Sequence, residues 1–520
     1  MAGSKSSKNS RLSNAVKAFA ACALCFIASG AIMAAAVRWF YQTGAILYWG
    51  DAEAHLDIAR RIVDSRTPGW AQIGTTWLPL PHLLMLPLVE DDWMWRTGLA
   101  GAIPSAICTV LATTFLFAAI RRLFTSTLCA TAAAAVFLLN PNTLYLGAIP
   151  MTEAVLAATL CGLFYFTVRF AATRGWGALA GASLAAFAGT LTRYEAWFLL
   201  PFAAVYIAMQ TGKQRWFKAG VFCVVAGLGP LIWLAHNYWY FRDALYFYRG
   251  PWSAKALQGN LPYPGKDDWP TAVHYFLAAG WDIVGFTGLL ICAAGLALAI
   301  AKRMWWPALF VSLSPLFYIW GIHSSGNPIF VPNMEPHGWY NTRYAMALLP
   351  LTALGAALIA RFGKAAAAGV VVLALLPALY PWNSHCITWQ EAEHNSQGYR
   401  ELTKQADEFL KTAMGPNETF ITSYGFTSVY RNLGIPLNST LSGDNNPQFL
   451  MATSRPEIFL WEDWAITTGG DTVQTVIDNA RLRGPRYELS RRIIVKGQPV
   501  LEIYHRQYED PLRQTPRSEE

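Results

Sequence analysis

Charge is scarce in this chain of 520 residues. Asp, Glu, Lys and Arg make up 14% of it, where soluble globular domains carry roughly a quarter. That shortage excludes an ordinary soluble enzyme of this length and a disordered polyelectrolyte. A nucleic-acid partner is excluded as well, because the net charge of +8 is spread over short loops and the tail rather than one basic face. Cysteine is sparse too. Cys22, Cys25, Cys108, Cys129, Cys161, Cys223 and Cys292 fall inside apolar stretches and only Cys386 lies clearly outside them, so there is no disulfide framework and no zinc spacing. Cys22 and Cys25 form a C-x-x-C within an apolar helix, which reads as packing.

What is present is apolar length. Hydrophobic residues are 54% of the chain, and a helix needs about 20 mostly apolar residues to cross a bilayer. Eleven such stretches are expected, near 18–37, 98–119, 127–146, 151–169, 176–190, 195–210, 219–235, 281–301, 306–322, 344–360 and 365–381. The first follows the basic segment "MAGSKSSKNSRLSNAVK" and is longer than a signal-peptide core of roughly 7–15 residues, so it is read as an uncleaved span. The expected fold class is an α-helical polytopic membrane protein.

Acidic residues are missing altogether from six alternate connections. These carry Lys5, Lys8, Arg11 and Lys17; Arg121 and Arg122; Arg169 and Arg174; Lys213, Arg215 and Lys218; Lys302 and Arg303; and Arg361 and Lys364. Lys and Arg collect in cytoplasmic loops, so these six are placed in the cytoplasm, N-terminus included. The other side receives a loop from 38 to 97, loops at 236–280 and 323–343, and everything after 381. Trp and Tyr crowd those edges as an interfacial belt does. From 382 onward the chain turns polar. The helical patterns "EAEHNSQGYRELTKQADEFLKTA" and "DTVQTVIDNARLR" interleave with the strand-like runs "ETFITS", "EIFLW", "YELSRRIIV" and "PVLEIYHR", which predicts a small extracytoplasmic α/β domain. Two domains follow: 1–381, transmembrane and including the loop 38–97, and 382–520.

The first long loop opens on "WGDAEAHLDIARRI". Leu56, Ala59, Ile62 and Val63 recur at helical spacing, predicting an amphipathic helix at the interface with Asp51 as N-cap and Glu53 in its first turn. His55 lies one turn further on. A second stretch, "QIGTTWLPLPHLLMLPLV", is too short to span. The topology gathers more ionisable residues onto the same side: Glu153 at the outer end of the fourth span, Arg193 and Glu195 between the fifth and sixth, and Glu335, His337 and Arg343 at the entry to the tenth. Charges near membrane depth are costly and mark functional sites. Together they predict a cleft that binds an anion and does acid–base work.

These segments resemble the GT-C glycosyltransferases, among them the protein O-mannosyltransferases and the lipid A aminoarabinose transferases. "GDAEAHLDIARRI" is similar to their first-loop acidic motif, "PMTEA" to their second acidic position and "NTRYAMALLP" to the Arg-Tyr entry of a late span; the likeness covers about residues 15–380. In the mannosyltransferase branch the first two acids are adjacent, whereas Ala52 separates Asp51 from Glu53 here. That D-x-E spacing suits a divalent cation such as Mg or Mn, and the metal is left open.

The resemblance implies an inverting glycosyltransferase in a bacterial inner membrane or its equivalent. It would move a hexose or pentose from a polyprenyl- or dolichyl-phosphate donor to a hydroxyl on a glycan, lipid or protein. Asp51, with Glu53, would be catalytic. Arg343, Arg193 and His337 would hold the donor phosphate, and Glu153, Glu195, His55 and Glu335 would position sugar or acceptor. A lipid-linked oligosaccharide ligase or polymerase is the near alternative. A secondary transporter is the distant one, since charges near mid-bilayer and paired repeats are missing.

Overall fold

The computed structural model describes residues 2–210, 212–376, 386–423 and 426–508, with side chains from Val16. The end of the expected last span at 377–381, residues 382–385 and 509–520 of the expected tail domain, and the side chains of Lys5, Lys8 and Arg11 lie outside the described residues. Among the described residues seven helices are long and apolar enough to cross a membrane: Val16–Gln42, Leu99–Phe124, Thr152–Thr173, Arg215–Phe241, Trp269–Ala301, Trp305–Ser324 and Thr342–Ala360. Four shorter helices, Thr127–Leu138, Trp176–Thr190, Tyr194–Gln210 and Lys364–Leu375, fall on the other expected spans.

The third expected span, 127–146, is broken. Asn140 and Pro141 end one helix and start the next, Pro141–Leu146, with the Asn140 side chain accepting from the Asn142 N–H at 2.9 Å. Proline at the first helical position needs no N–H partner. The break has a counterpart in Trp269–Ala301, where Gly285 leaves the helical conformation (φ 70°). Asn140 Nδ2 donates to the Ile283 carbonyl beside that kink at 2.8 Å, so each interruption answers the other's backbone need. Further on, a Cβ on Gly295 would collide with the backbone of Gly355. Small residues at such crossings let helices approach within van der Waals reach of one another's backbone.

The chain folds as two compact units. The first holds Met1–His55, Gly74–Met85 and Gly98–His394, and the second holds Leu56–Ile73, Leu86–Thr97 and Asn395–Glu520. The helix Gly50–Arg61 runs from the first into the second. The loop 38–97, expected to belong wholly with the spans, is thus shared between the units.

In the second unit a five-stranded sheet has the order β2-β1-β3-β5-β4, with β1 Phe420–Thr422, β2 Thr440–Leu441, β3 Trp464–Thr468, β4 Tyr487–Ile493 and β5 Leu501–Arg506. β1 pairs in parallel with β2 and β3, while β5 is antiparallel to β3 and β4. Alternation along the strands sends Phe420, Trp464 and Ile466 to a core shared with Leu402, Ala406 and Leu410 of the helix Ile387–Ala413. Ile421 and Ala465 go to the opposite core with Val473, Val476 and Ile477 of Thr472–Arg483. Both faces are thereby covered. The run "EIFLW", expected as a strand, begins in the helix Pro456–Phe459, which Pro456 starts, and leaves it at Leu460; the strand "WAITT" follows.

Charges of the first loop are absorbed into this unit. Arg60 reaches Asp64 at 2.8 Å and Asp92 at 2.7 Å. Arg61 pairs with Asp444, and Asp64 accepts the Leu437 and Asn438 N–H groups at 3.1 and 3.0 Å. Arg66 meets Glu462, whose side chain is fully buried, at 2.6 Å. Removing one member of a buried pair strands the other, at about 3–5 kcal/mol. Arg66→Ala should therefore lower the second unit's stability by about 3 kcal/mol in thermal unfolding of the solubilised protein, and Arg66→Met with Glu462→Leu should recover most of it.

Candidate active site

Four of the predicted residues meet in the first unit. Helix Gly50–Arg61 starts on the Trp49 carbonyl, which accepts the Ala52 and Glu53 N–H groups. Asp51 is thus in the first turn rather than at the cap, and its carboxylate is turned to Arg343 instead of its own backbone. Arg343 Nη2 donates to Asp51 Oδ2 at 2.6 Å, and its Nε stands 3.1 Å from Glu153 Oε1. Glu153 lies in the first turn of Thr152–Thr173, where the positive end of the helix favours a carboxylate. Arg193 Nη1 donates to the same Oε1 at 2.8 Å and to Thr152 Oγ1, also at 2.8 Å. The result is a chain Asp51–Arg343–Glu153–Arg193 joining the first loop and three spans. Glu153 Oε2 is buried and takes no hydrogen bond among the described residues.

Aromatic rings wall the two cations. The Arg343 guanidinium lies 4.5 Å over Trp49 and 5.6 Å from Tyr344, and that of Arg193 is 5.5 Å from Tyr344. Tyr344 stacks on Tyr318 with centroids 4.7 Å apart, and the Tyr318 hydroxyl donates to Glu195 Oε2 at 2.5 Å. Guanidinium over ring faces is attractive in its own right. Glu153, Glu195, Tyr318 and Arg343 line a pocket whose empty space, open solvent included, is about 910 Å³. Its remaining walls are mostly apolar, including Leu116, Phe137, Leu160, Phe164 and Phe310, with Thr109, Thr143 and Ser314 among them. Charged groups in a mostly apolar pocket suit an amphiphile with an anionic head.

Of the other predicted residues, Glu335 and His337 lie away from this chain, whereas Glu53 and His55 neighbour it. Glu335 and His337 are exposed and pair with each other at 3.4 Å, and His337 Nδ1 also lies 3.0 Å from the Pro332 carbonyl. Glu53 sits beside Asp51 in the same first turn. His55 is buried, its Nδ1 3.0 Å from His82 Nε2 and its ring 4.4 Å from that of Trp77. Burial, then the charges of Arg343 and Arg193, hold the His55 imidazole down to about 3 from an ordinary 6.5. The folded protein therefore keeps it neutral, while the unfolded chain takes up a proton below pH 6.5. Its contribution is intact above that pH and is lost as the pH falls toward about 3. Between about pH 7.5 and 5 the stability advantage of wild type over His55→Gln should shrink by about 2 kcal/mol, read as a converging pair of melting curves.

Trp49, Tyr318, Tyr344 and Glu391 also shape the site and are not among the predicted site residues, although Trp49 and Tyr344 lie in the quoted first-loop and late-span motifs. The Glu391 carboxylate accepts the Asn341 and Thr342 N–H groups at 2.7 and 2.9 Å and the Thr342 hydroxyl at 2.5 Å. Tyr344 follows Arg343 directly in the quoted "NTRYAMALLP"; Tyr318 and Glu391 lie in a span and the tail without a spacing to mark them. Among the described residues no three His, Cys, Asp or Glu side chains converge as a metal site. The guanidinium contacts fall on one oxygen of each carboxylate, Asp51 Oδ2 and Glu153 Oε1.

Residues 95–239 match the family model described as dolichyl-phosphate-mannose-protein mannosyltransferase. The chain also shares its fold with ArnT from Cupriavidus metallidurans in the apo state, at a TM-score of 0.53 and 13% identity, over 90% of this chain and 97% of that one. No curated protein matches the sequence. The chain therefore has an ArnT-like fold, as the resemblance carried by the first-loop and late-span motifs leads one to expect.

Proposed function

We propose that the protein transfers a single sugar from a polyprenyl-phosphate carrier to an acceptor hydroxyl, with inversion, on the extracytoplasmic side of the membrane. The observation that carries this reading is the Arg343 bridge between Asp51 and Glu153 at the charged part of a mostly apolar pocket. A carrier phosphate entering there takes hydrogen bonds from Arg343, which are short and strong because both partners are charged. Recruiting the guanidinium to phosphate frees Asp51 Oδ2. The acceptor oxygen then attacks the anomeric carbon, the bond from that carbon to the phosphate oxygen breaks, and the acceptor proton passes to Asp51 as the new bond forms. The leaving polyprenyl phosphate keeps the electron pair, and Arg343 with Arg193 offsets its charge.

Glu153, fixed by both arginines, keeps its free oxygen for a hydroxyl of the sugar or acceptor. Burial of Glu195 against Tyr318 supports the ring on which the arginines rest. The test supplies the purified protein with a panel of polyprenyl-phosphate sugars and acceptors and measures free polyprenyl phosphate. Release is expected with one lipid-linked monosaccharide. Turnover of nucleotide sugars with none of the lipid-linked panel would overturn the reading, and a requirement for oligosaccharide donors would move it to a ligase.

A further inference from the structure

We infer that Glu391 is a positioning residue for Arg343: a carboxylate supplied by the helix after the last spans fixes the backbone from which the guanidinium is aimed. The inference rests on the phosphate-binding role given to Arg343 above. Glu391 does not touch the reacting end of the cleft. Its partners are the two residues just before Arg343, through the N–H groups of Asn341 and Thr342 and the Thr342 hydroxyl.

Those two N–H groups open the helical segment Thr342–Leu348, and the first N–H groups of a helix have no partner within it. Asn341 is also left-handed, at φ 57°, a conformation that asparagine tolerates better than other side chains but that its surroundings must still hold. A carboxylate gripping the N–H on each side of the Asn341 α-carbon enforces it. Asn341 Nδ2 adds a bond to the Pro328 carbonyl at 3.1 Å. With that turn fixed, the direction of the next side chain, Arg343, is fixed as well.

The grip is itself anchored. Thr388, one turn before Glu391, donates from its N–H and hydroxyl to Asn142 Oδ1 at 3.1 and 2.9 Å. Trp389 stacks on Tyr145 at 5.7 Å and meets Phe40 edge-on at 5.1 Å. All of these residues belong to the first unit. Glu391 is 1% exposed, so an ionised carboxylate there depends on its three donors, on the positive end of the helix and on the charge of Arg343 nearby. A Ser or Asn cap would satisfy an N–H at less desolvation cost; a buried carboxylate reaching back from a later helix gives a stiffer hold on the arginine.

The experiment is a double-mutant cycle on the full-length solubilised protein, with farnesyl monophosphate as the probe. Glu391→Gln should weaken its binding about tenfold and Arg343→Ala about 100-fold, while the double variant should bind no more weakly than Arg343→Ala, because residues acting through one another are not additive. An amide at 391 keeps one acceptor but turns a donor toward the second N–H. Additive losses, or wild-type binding by Glu391→Gln, would overturn the inference and leave the phosphate assignment standing. Wild-type binding by Arg343→Ala would overturn that assignment and the inference with it. Should Glu391→Gln not fold, Thr342→Val removes only the hydroxyl contact. It should weaken binding about threefold, again without adding to Arg343→Ala; an additive result would overturn the inference.

Discussion

Asp51→Asn is expected to lower the transfer rate by about a thousandfold while the protein still inserts, folds and binds its donor. The size follows from the role. A positioned general base contributes about 10²–10⁴ in rate, and an amide takes no proton. Retention of the fold follows from the geometry, because the oxygen that remains can still accept the 2.6 Å bond from Arg343 Nη2. The donor KM should stay within about threefold of wild type, since the interaction removed matters as the acceptor proton leaves. Single-turnover assays with a polyprenyl-phosphate sugar check both numbers, and wild-type turnover by this variant would end the base assignment.

Arg343→Ala carries the second large effect. It removes the charge proposed to face the leaving phosphate and leaves Asp51 without its Arg343 partner and Glu153 with Arg193 alone. Loss of a preorganised charge at a developing anion costs about 10²–10³ in kcat, and donor affinity should fall with it because the same guanidinium meets the ground-state phosphate. Arg343→Lys should recover only part of the loss. An ammonium is a point charge and lacks the planar fork that reaches two carboxylates at once. The ratio kcat/KM, measured at several donor concentrations, separates the two contributions.

The chain Asp51–Arg343–Glu153–Arg193 was legible in the sequence because Glu153, Arg193 and Arg343 sit at the ends of apolar runs and Asp51 opens the amphipathic helix of the first loop. The alternation of basic loops then assigns those ends to one side. His337 and Glu335 share that address but stand in a loop that turns them to solvent, and charge alternation carries no information about the direction of a loop side chain. Glu391 was illegible for the opposite reason: it lies in a segment that reads as the start of a polar tail. Nothing in its spacing announces that Thr388, Trp389 and Glu391 dock on residues of the spans.

The charges Arg60, Arg61, Asp64 and Arg66 look like the solvent face of an amphipathic helix. The partners of the last three, Asp444, Leu437, Asn438 and Glu462, lie in the sheet unit far along the chain, beyond any periodicity. The break in the third expected span, 127–146, is missed by reading apolar length alone. Asn140–Pro141 is a helix stop inside an apolar stretch, and the kink at Gly285 is what gives that stop a partner.

The most direct test of sugar transfer from a lipid phosphate is the anomeric configuration of the product. The purified protein would receive a polyprenyl-phosphate sugar of known configuration, and the new glycosidic linkage would be assigned by NMR alongside the free polyprenyl phosphate. Single displacement with Asp51 as base predicts the inverted anomer and one polyprenyl phosphate released for each sugar transferred. A product of retained configuration, or transfer without release of polyprenyl phosphate, would contradict it.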